Sequence, residues 1–344
     1  MGKADSEVAA VEGAQDGAEQ APSRGLLLAA VGIVWMAAML WSARATITGR
    51  ADAEMEVTST AYALPGAISA SLVAGAAVAL AVLAFLTRGT RRPGVTVRFA
   101  VATGTGLAIG LLGALTIITI NTEGWLYAVV GGTVAAAATI GGALAGFRYR
   151  RVTAAVCWGA VAVFVVGFVL TVLQGVVLPL LGSGDTAASR TSAASWFGMV
   201  QAVLSGVAGG IVAYRVLRRA RHRSGGADLG WPQYALAGAG PGLLLVLGEG
   251  LTRTAGARVI ELAGKVSELE LTVQQMLSGS RLNNGLIVLF VGAITAIIAV
   301  GRTLSPATAD AAAPAAPARP ADPDEVERAA RVDEPRAAPV RQDD

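Results

Sequence analysis

The chain has 344 residues, of which 54% are hydrophobic and only 15% charged, with a formal net charge of +3. Soluble globular domains carry charge on about a quarter of their residues, so this composition excludes such a fold for most of the chain and makes lipid its solvent. Cys157 is the single cysteine and His222 the single histidine, which excludes an intrachain disulfide and a zinc site built from Cys and His.

In chain order, residues 1–24 are polar and Ala-rich, with Asp5, Glu7, Glu12, Asp16 and Glu19, and are expected to form a disordered cytoplasmic N-terminus. Eight apolar stretches follow: Leu26 to Ala43, Ala63 to Leu86, Phe99 to Ile120, Trp125 to Phe147, Val152 to Val177, Trp196 to Tyr214, Trp231 to Leu251 and Gly285 to Val300. A helix rising about 1.5 Å per residue needs roughly 20 apolar residues to cross a hydrocarbon core of about 30 Å, and these runs fit that requirement. They lack the alternation of a barrel strand, so the expected fold is all-α: a polytopic transmembrane bundle of eight spans over residues 25–304. The long, net acidic segment ahead of the first span is unlike the short basic region of a secretory signal, so that span is read as retained.

Arginine distribution sets the orientation. Arg88, Arg91, Arg92 and Arg98 fill the second loop, Arg148, Arg150 and Arg151 the fourth, and Arg215, Arg218, Arg219, Arg221 and Arg223 the sixth. Loops so enriched are cytoplasmic by the positive-inside rule, which places both termini inside and the third and fifth loops outside. Arg44, Arg50, Arg253, Arg258 and Arg281 fall in the first and seventh loops and fit the rule less cleanly. Topogenic arginines of this kind give no reason to expect nucleic acid as a partner; membrane lipids are the expected surroundings.

Small residues at four-residue spacing mark where helices approach: Gly106 and Gly110, then Ala138, Gly142 and Gly146, then Ala202, Gly206 and Gly210, then Gly238 and Gly242. Gly141-Gly142, Ala145 and Arg150-Arg151 recur at the same spacing as Gly209-Gly210, Ala213 and Arg218-Arg219, after Trp125 and Trp196 respectively. Either a hairpin is duplicated in parallel orientation, or abundant Gly, Ala and topogenic Arg produce the match.

Four features are candidates for function. Val259, Leu262, Val266, Leu269, Val273 and Met276 alternate by three and four across an expected external amphipathic helix, residues 257–277, and form a candidate seam for self-association or a membrane-protein partner. The same stripe also suits the bundle's outer mouth, the lipid interface, or an outward extension of the last span. Pro241-Gly242 lies near the midpoint of the seventh span, where proline removes a backbone donor and a kinked or broken helix would expose carbonyls to a solute, although kinked spans also occur without transport. Glu249 lies about 27 Å along the same helix from Trp231, near the outer interface, solvated or paired with Arg253. Gln174 and Gln201, with Thr119 and Asn121, also fall toward the outer half, as a polar vestibule or as interhelical hydrogen-bond formers. Residues 305–344 are an Ala/Pro-rich tail, expected to be disordered and cytoplasmic.

The central thirds of the spans carry no ionisable side chain of the kind proton relays and intramembrane enzymes use, and the chain has no P-loop. No catalytic, cofactor-binding or metal residue is assigned. Ala, Gly and Arg are heavily used while lysine appears only at Lys3 and Lys265, as a high-GC genome favours. In composition and span layout the chain resembles uncharacterised multi-span integral membrane proteins of high-GC actinobacteria. That resemblance implies the bacterial plasma membrane and carries no functional residue across. The sequence thus supports a non-enzymatic accessory or scaffold component acting through the external segment and the tail. Its alternative is a permease-like transporter of a small or lipidic solute.

Overall fold

The computed structural model describes residues 25–47, 53–87, 94–120, 125–147, 149–223, 230–257, 259, 261 and 268–302. The expected N-terminal and C-terminal tails, Leu262, Val266 and Asn121 lie outside the described residues. Eight helices are long and apolar enough to cross a membrane, and no strand occurs among the described residues. In chain order they are α1 Gly25–Ile47, α2 Ala53–Leu86, α3 Val95–Ile118, α4 Trp125–Gly146, α5 Arg150–Val172, α7 Ala187–Arg223, α8 Trp231–Thr254 and α9 Glu268–Gly301, with a short non-spanning helix α6 Gln174–Leu180 between α5 and α7. The protein is a multi-pass integral membrane protein.

Three spans run longer than their apolar cores. α2 has 34 residues, α7 37 and α9 34, or about 50–55 Å each, against a hydrocarbon thickness of about 30 Å. The expected fifth span ends early because the backbone turns at Leu173, and α6 then leads to a turn at Gly182, whose φ of +86° suits a residue without Cβ. Thr186 begins α7, its Oγ1 accepting from the Ser189 backbone N–H at 3.1 Å.

The spans form two four-helix groups of similar connectivity. In the first, made of α1 to α4, α1 packs on α2 at Gly32 and on α3 at Gly113 while α4 lies against both α2 and α3; in the second, made of α5, α7, α8 and α9, the last helix lies against both α7 and α8. Backbone-to-backbone approach at glycines makes these contacts close. A Cβ on Gly142 would meet Gly106 of α3, one on Gly141 would collide with the Leu72 carbonyl of α2, and Gly292 of α9 meets Gly238 of α8 and Gly210 of α7 in the same way. The glycine rows read from the sequence therefore lie at helix crossings, where small residues replace the hydrophobic drive that lipid does not provide. The adjacent pairs Gly141-Gly142 and Gly209-Gly210 do not take equivalent neighbours. Gly142 faces the helix preceding its own, whereas Gly210 faces α9 and Gly209 faces α5. By its packing, the counterpart of α4 is α9.

The two groups meet where α2 lies against α5 and α8. Most span hydroxyls spend their donor inside their own helix: Ser71 donates to the Ala67 carbonyl at 2.7 Å, Thr133 to Val129 at 2.8 Å and Thr139 to Ala135 at 2.7 Å. They are thus already partnered at the bundle's centre. Arginine fixes both ends. Arg98 Nε donates to the Gly146 carbonyl at 3.3 Å at the end assigned to the cytoplasm, and Arg44 Nη1 donates to the Thr116 carbonyl at 3.2 Å and Thr119 Oγ1 at 3.3 Å at the end assigned to the exterior.

Candidate functional site

A cavity of about 300 Å³ lies between the two groups, at the low end of the range for small-molecule sites. Trp35 of α1 and Pro65 of α2 form one side, and Ala160 and Phe164 of α5 with Pro241 of α8 form the other. Among the described residues Arg281 of α9 is the one charged residue in its wall. Pro241 sits about 15 Å along α8 from Trp231, and Arg281 about 30 Å along α9 from Gly301, so the space runs from mid-span toward the end that the arginine-rich loops assign to the exterior. Nearly all of its lining atoms are apolar.

Arg281 is held by Glu249. Its Nε donates to Glu249 Oε2 at 2.9 Å, while Glu249 Oε1 accepts from Arg253 Nε at 3.3 Å and from the Ser278 hydroxyl. Glu249 is 4% exposed, so the solvated alternative for this residue does not hold, while the pairing with Arg253 does. The Arg253, Glu249 and Arg281 side chains together carry a formal charge of +1. Among the described residues, nothing accepts from the terminal Nη1 and Nη2 of Arg281, whose side chain is 29% exposed. Above this triad, Gln274 is buried and donates through Nε2 to Glu270 Oε1 at 3.0 Å, and the Tyr62 hydroxyl of α2 lies close to the same carboxylate. The N-terminal turns of α9 therefore rest on the outer ends of α8 and α2.

Trp35 contributes an aromatic wall. Its ring lies against Phe164, centroids 4.5 Å apart, and its buried indole Nε1–H has no acceptor among the described residues. That nitrogen is enclosed by protein and does not open onto the cavity, so what Trp35 gives the wall is the apolar face of its ring. Two other buried polar atoms without partners, Thr103 Oγ1 and Gln233 Oε1, belong to residues outside the cavity lining.

The remaining sequence candidates separate. α8 runs unbroken from Trp231 to Thr254, so Pro241-Gly242 is not a helix break. The stretch is instead a packing node. A Cβ on Gly240 would overlap Val156 of α5, one on Gly242 would strike the Leu289 backbone of α9, and the Pro241 ring lies over Gly159 and Gly209. Gln201 donates to the Gly167 carbonyl at 3.4 Å, joining α7 to α5, while Gln174 is exposed on α6, and neither lines the cavity. Along the seam, Val259 is buried and Val273 half-buried, while Leu269 and Met276 are 73% and 72% exposed. The side of α9 turned into the bundle there presents Gln274 and Ser278 instead.

Sequence reasoning did not assign Trp35 or Arg281 to a site. Arg281 left a signal, as an arginine on the external side just ahead of an apolar run and against the positive-inside pattern; Trp35 left none. Among the described residues no group of His, Cys, Asp and Glu could hold a metal. No protein-family model, curated protein or solved structure matches the chain.

Proposed function

We propose that the protein is a non-enzymatic, permease-like component of a bacterial plasma membrane, in which a membrane-borne solute occupies the space between the two four-helix groups. The observation that carries this reading is the cavity itself. It has walls from both groups, an apolar lining and a charged group at its outer end. Such a space at the junction of two similar groups suits rocking of one against the other around a fixed solute position, the geometry many carriers use. Arginine-rich loops and sparse lysine support the assignment to a bacterial plasma membrane.

Reconstituted vesicles test it. A fluorescent single-chain alkyl phosphate placed in one leaflet should cross faster with the protein than without. Ala160→Trp, which puts an indole into the cavity from a position only 6% exposed, should abolish the gain. Equal rates with wild type and Ala160→Trp would remove the permease reading.

A scaffold role is favoured by one specific observation. Leu269 and Met276 lie one heptad apart, both largely exposed, on the part of α9 that extends past the length a span needs. Under that reading this stripe is covered by a second copy or a membrane-protein partner, and charged substitutions there eliminate cross-linked dimers without touching the cavity.

A further inference from the structure

We infer that the cavity takes an amphipathic anion: a single apolar chain in the body of the space, with a carboxylate or phosphate at Arg281. The inference rests on reading the cavity as a solute site and adds the ligand's chemical class. Charge supplies the first argument. Glu249 neutralises one of the two guanidiniums that hold it, so the triad itself, whose Arg281 lines the cavity, carries one excess positive charge. In surroundings of low polarity that charge attracts an anion far more strongly than it would in water. Geometry supplies the second. Arg281 uses only its Nε on Glu249, and the guanidinium fork that remains matches the two oxygens of a carboxylate or phosphate.

Depth supplies the third argument. The charged end lies toward the end assigned to the exterior and the apolar walls descend about 12 Å, the eight residues from Glu249 to Pro241, which approaches half of a hydrocarbon core of about 30 Å. A ligand with its anionic head at Arg281 and its chain toward Pro241 has the orientation and reach of a lipid in the outer leaflet.

Displacement of spin-labelled stearate from the full-length protein in detergent reads this directly. Dodecanoate and dodecyl phosphate should displace the label at concentrations about tenfold lower than neutral dodecanol, as expected when a charge-assisted hydrogen bond is lost. Inorganic phosphate, lacking a chain, should not displace it. Whichever anion acts at lower concentration tells a carboxylate ligand from a phosphate one. Arg281→Gln should remove the preference for anions while dodecanol still competes, and Arg281→Lys should keep part of it. Glu249→Gln retains Arg281 and adds a unit of positive charge, so it should sharpen the preference several-fold even if Arg281→Gln does not fold. Displacement by dodecanol as readily as by either anion, or a preference unchanged in Glu249→Gln, overturns the inference. Anion-selective binding without flux in vesicles would remove the permease reading and leave the ligand class standing, so the two fail separately.

Discussion

The crossing of α3 and α4 offers the sharpest test of how this bundle coheres. In Gly142→Ala the added methyl would lie 2.8 Å from the Gly106 Cα and 2.9 Å from its N, and close to the Ala102 carbonyl oxygen. Carbon pairs prefer roughly 3.5–4.0 Å, so the helices must part by several tenths of an ångström, because the obstacle is backbone and has no rotamer to change. Overpacking of this kind costs about 1–3 kcal/mol. Removing a glycine from a helix interior gives back up to about 1 kcal/mol, and a control isolates that gain. Gly132 lies on the exposed side of the same helix with nothing near its Cβ position, so Gly132→Ala carries the propensity gain without the clash. The clash term predicts that Gly142→Ala is less stable than Gly132→Ala by about 1–3 kcal/mol, measured by equilibrium unfolding in mixed micelles of mild and denaturing detergent. Equal midpoints for the two variants would refute the claim that close glycine contact holds the first group together.

Three further outcomes follow. Arg44→Ala removes donors to the Thr116 carbonyl and Thr119 hydroxyl at the outer end of α3 and should cost about 0.5–1.5 kcal/mol in the same unfolding assay, the usual net worth of a partly exposed hydrogen bond. In a Cys157→Ser background, Asp185→Cys should react with an impermeant maleimide in intact cells and His222→Cys only after permeabilisation; wild-type Cys157, fully buried, should stay unlabelled in both. Leu269→Glu with Met276→Glu should leave anion binding unchanged, and should abolish cross-linked dimers if the exposed stripe on α9 is an interface; dimers that survive the double substitution exclude it.

The spans were legible because the length of an apolar run maps directly onto membrane thickness, and the glycine rows because close approach demands small residues at a fixed period. The helix extensions were less so. α7 begins at Ala187 and α9 at Glu268, both in polar sequence, since nothing in an apolar count marks a helix that continues into water. The arginines that fit the orientation rule poorly have structural work: Arg44 caps α3, and Arg253 and Arg281 hold Glu249. A rule that counts charges cannot separate an arginine that sets orientation from one that has a partner. The cavity was out of reach for a different reason. Its walls come from five helices spread between Trp35 and Arg281, so no local pattern encodes it. At Pro241 the motif was found but its role was not, because a proline inside a span does not say whether the helix opens around it or packs onto it.

Whether the triad at the outer mouth serves stability or recognition can be decided by neutralising it. Dehydrating ions costs several kcal/mol each, and replacing a buried ion pair with apolar residues is often neutral or stabilising, so stability alone is a poor reason for Glu249 to be buried. Removing one partner is different. In Glu249→Leu two guanidiniums lose their counter-charge, although their 44% and 29% exposure lets solvent absorb much of the loss, so the cost should fall well short of the 3–5 kcal/mol of a fully buried pair. The variant carrying both Glu249→Leu and Arg281→Leu leaves only Arg253, free to reach water. If the triad exists to present Arg281 to a ligand, this double variant should unfold at or above the wild-type midpoint and yet show no preference for dodecanoate over dodecanol. A double variant markedly less stable than wild type would instead make the triad a structural clamp between α8 and α9, with the positive charge at the cavity mouth a by-product of that clamp.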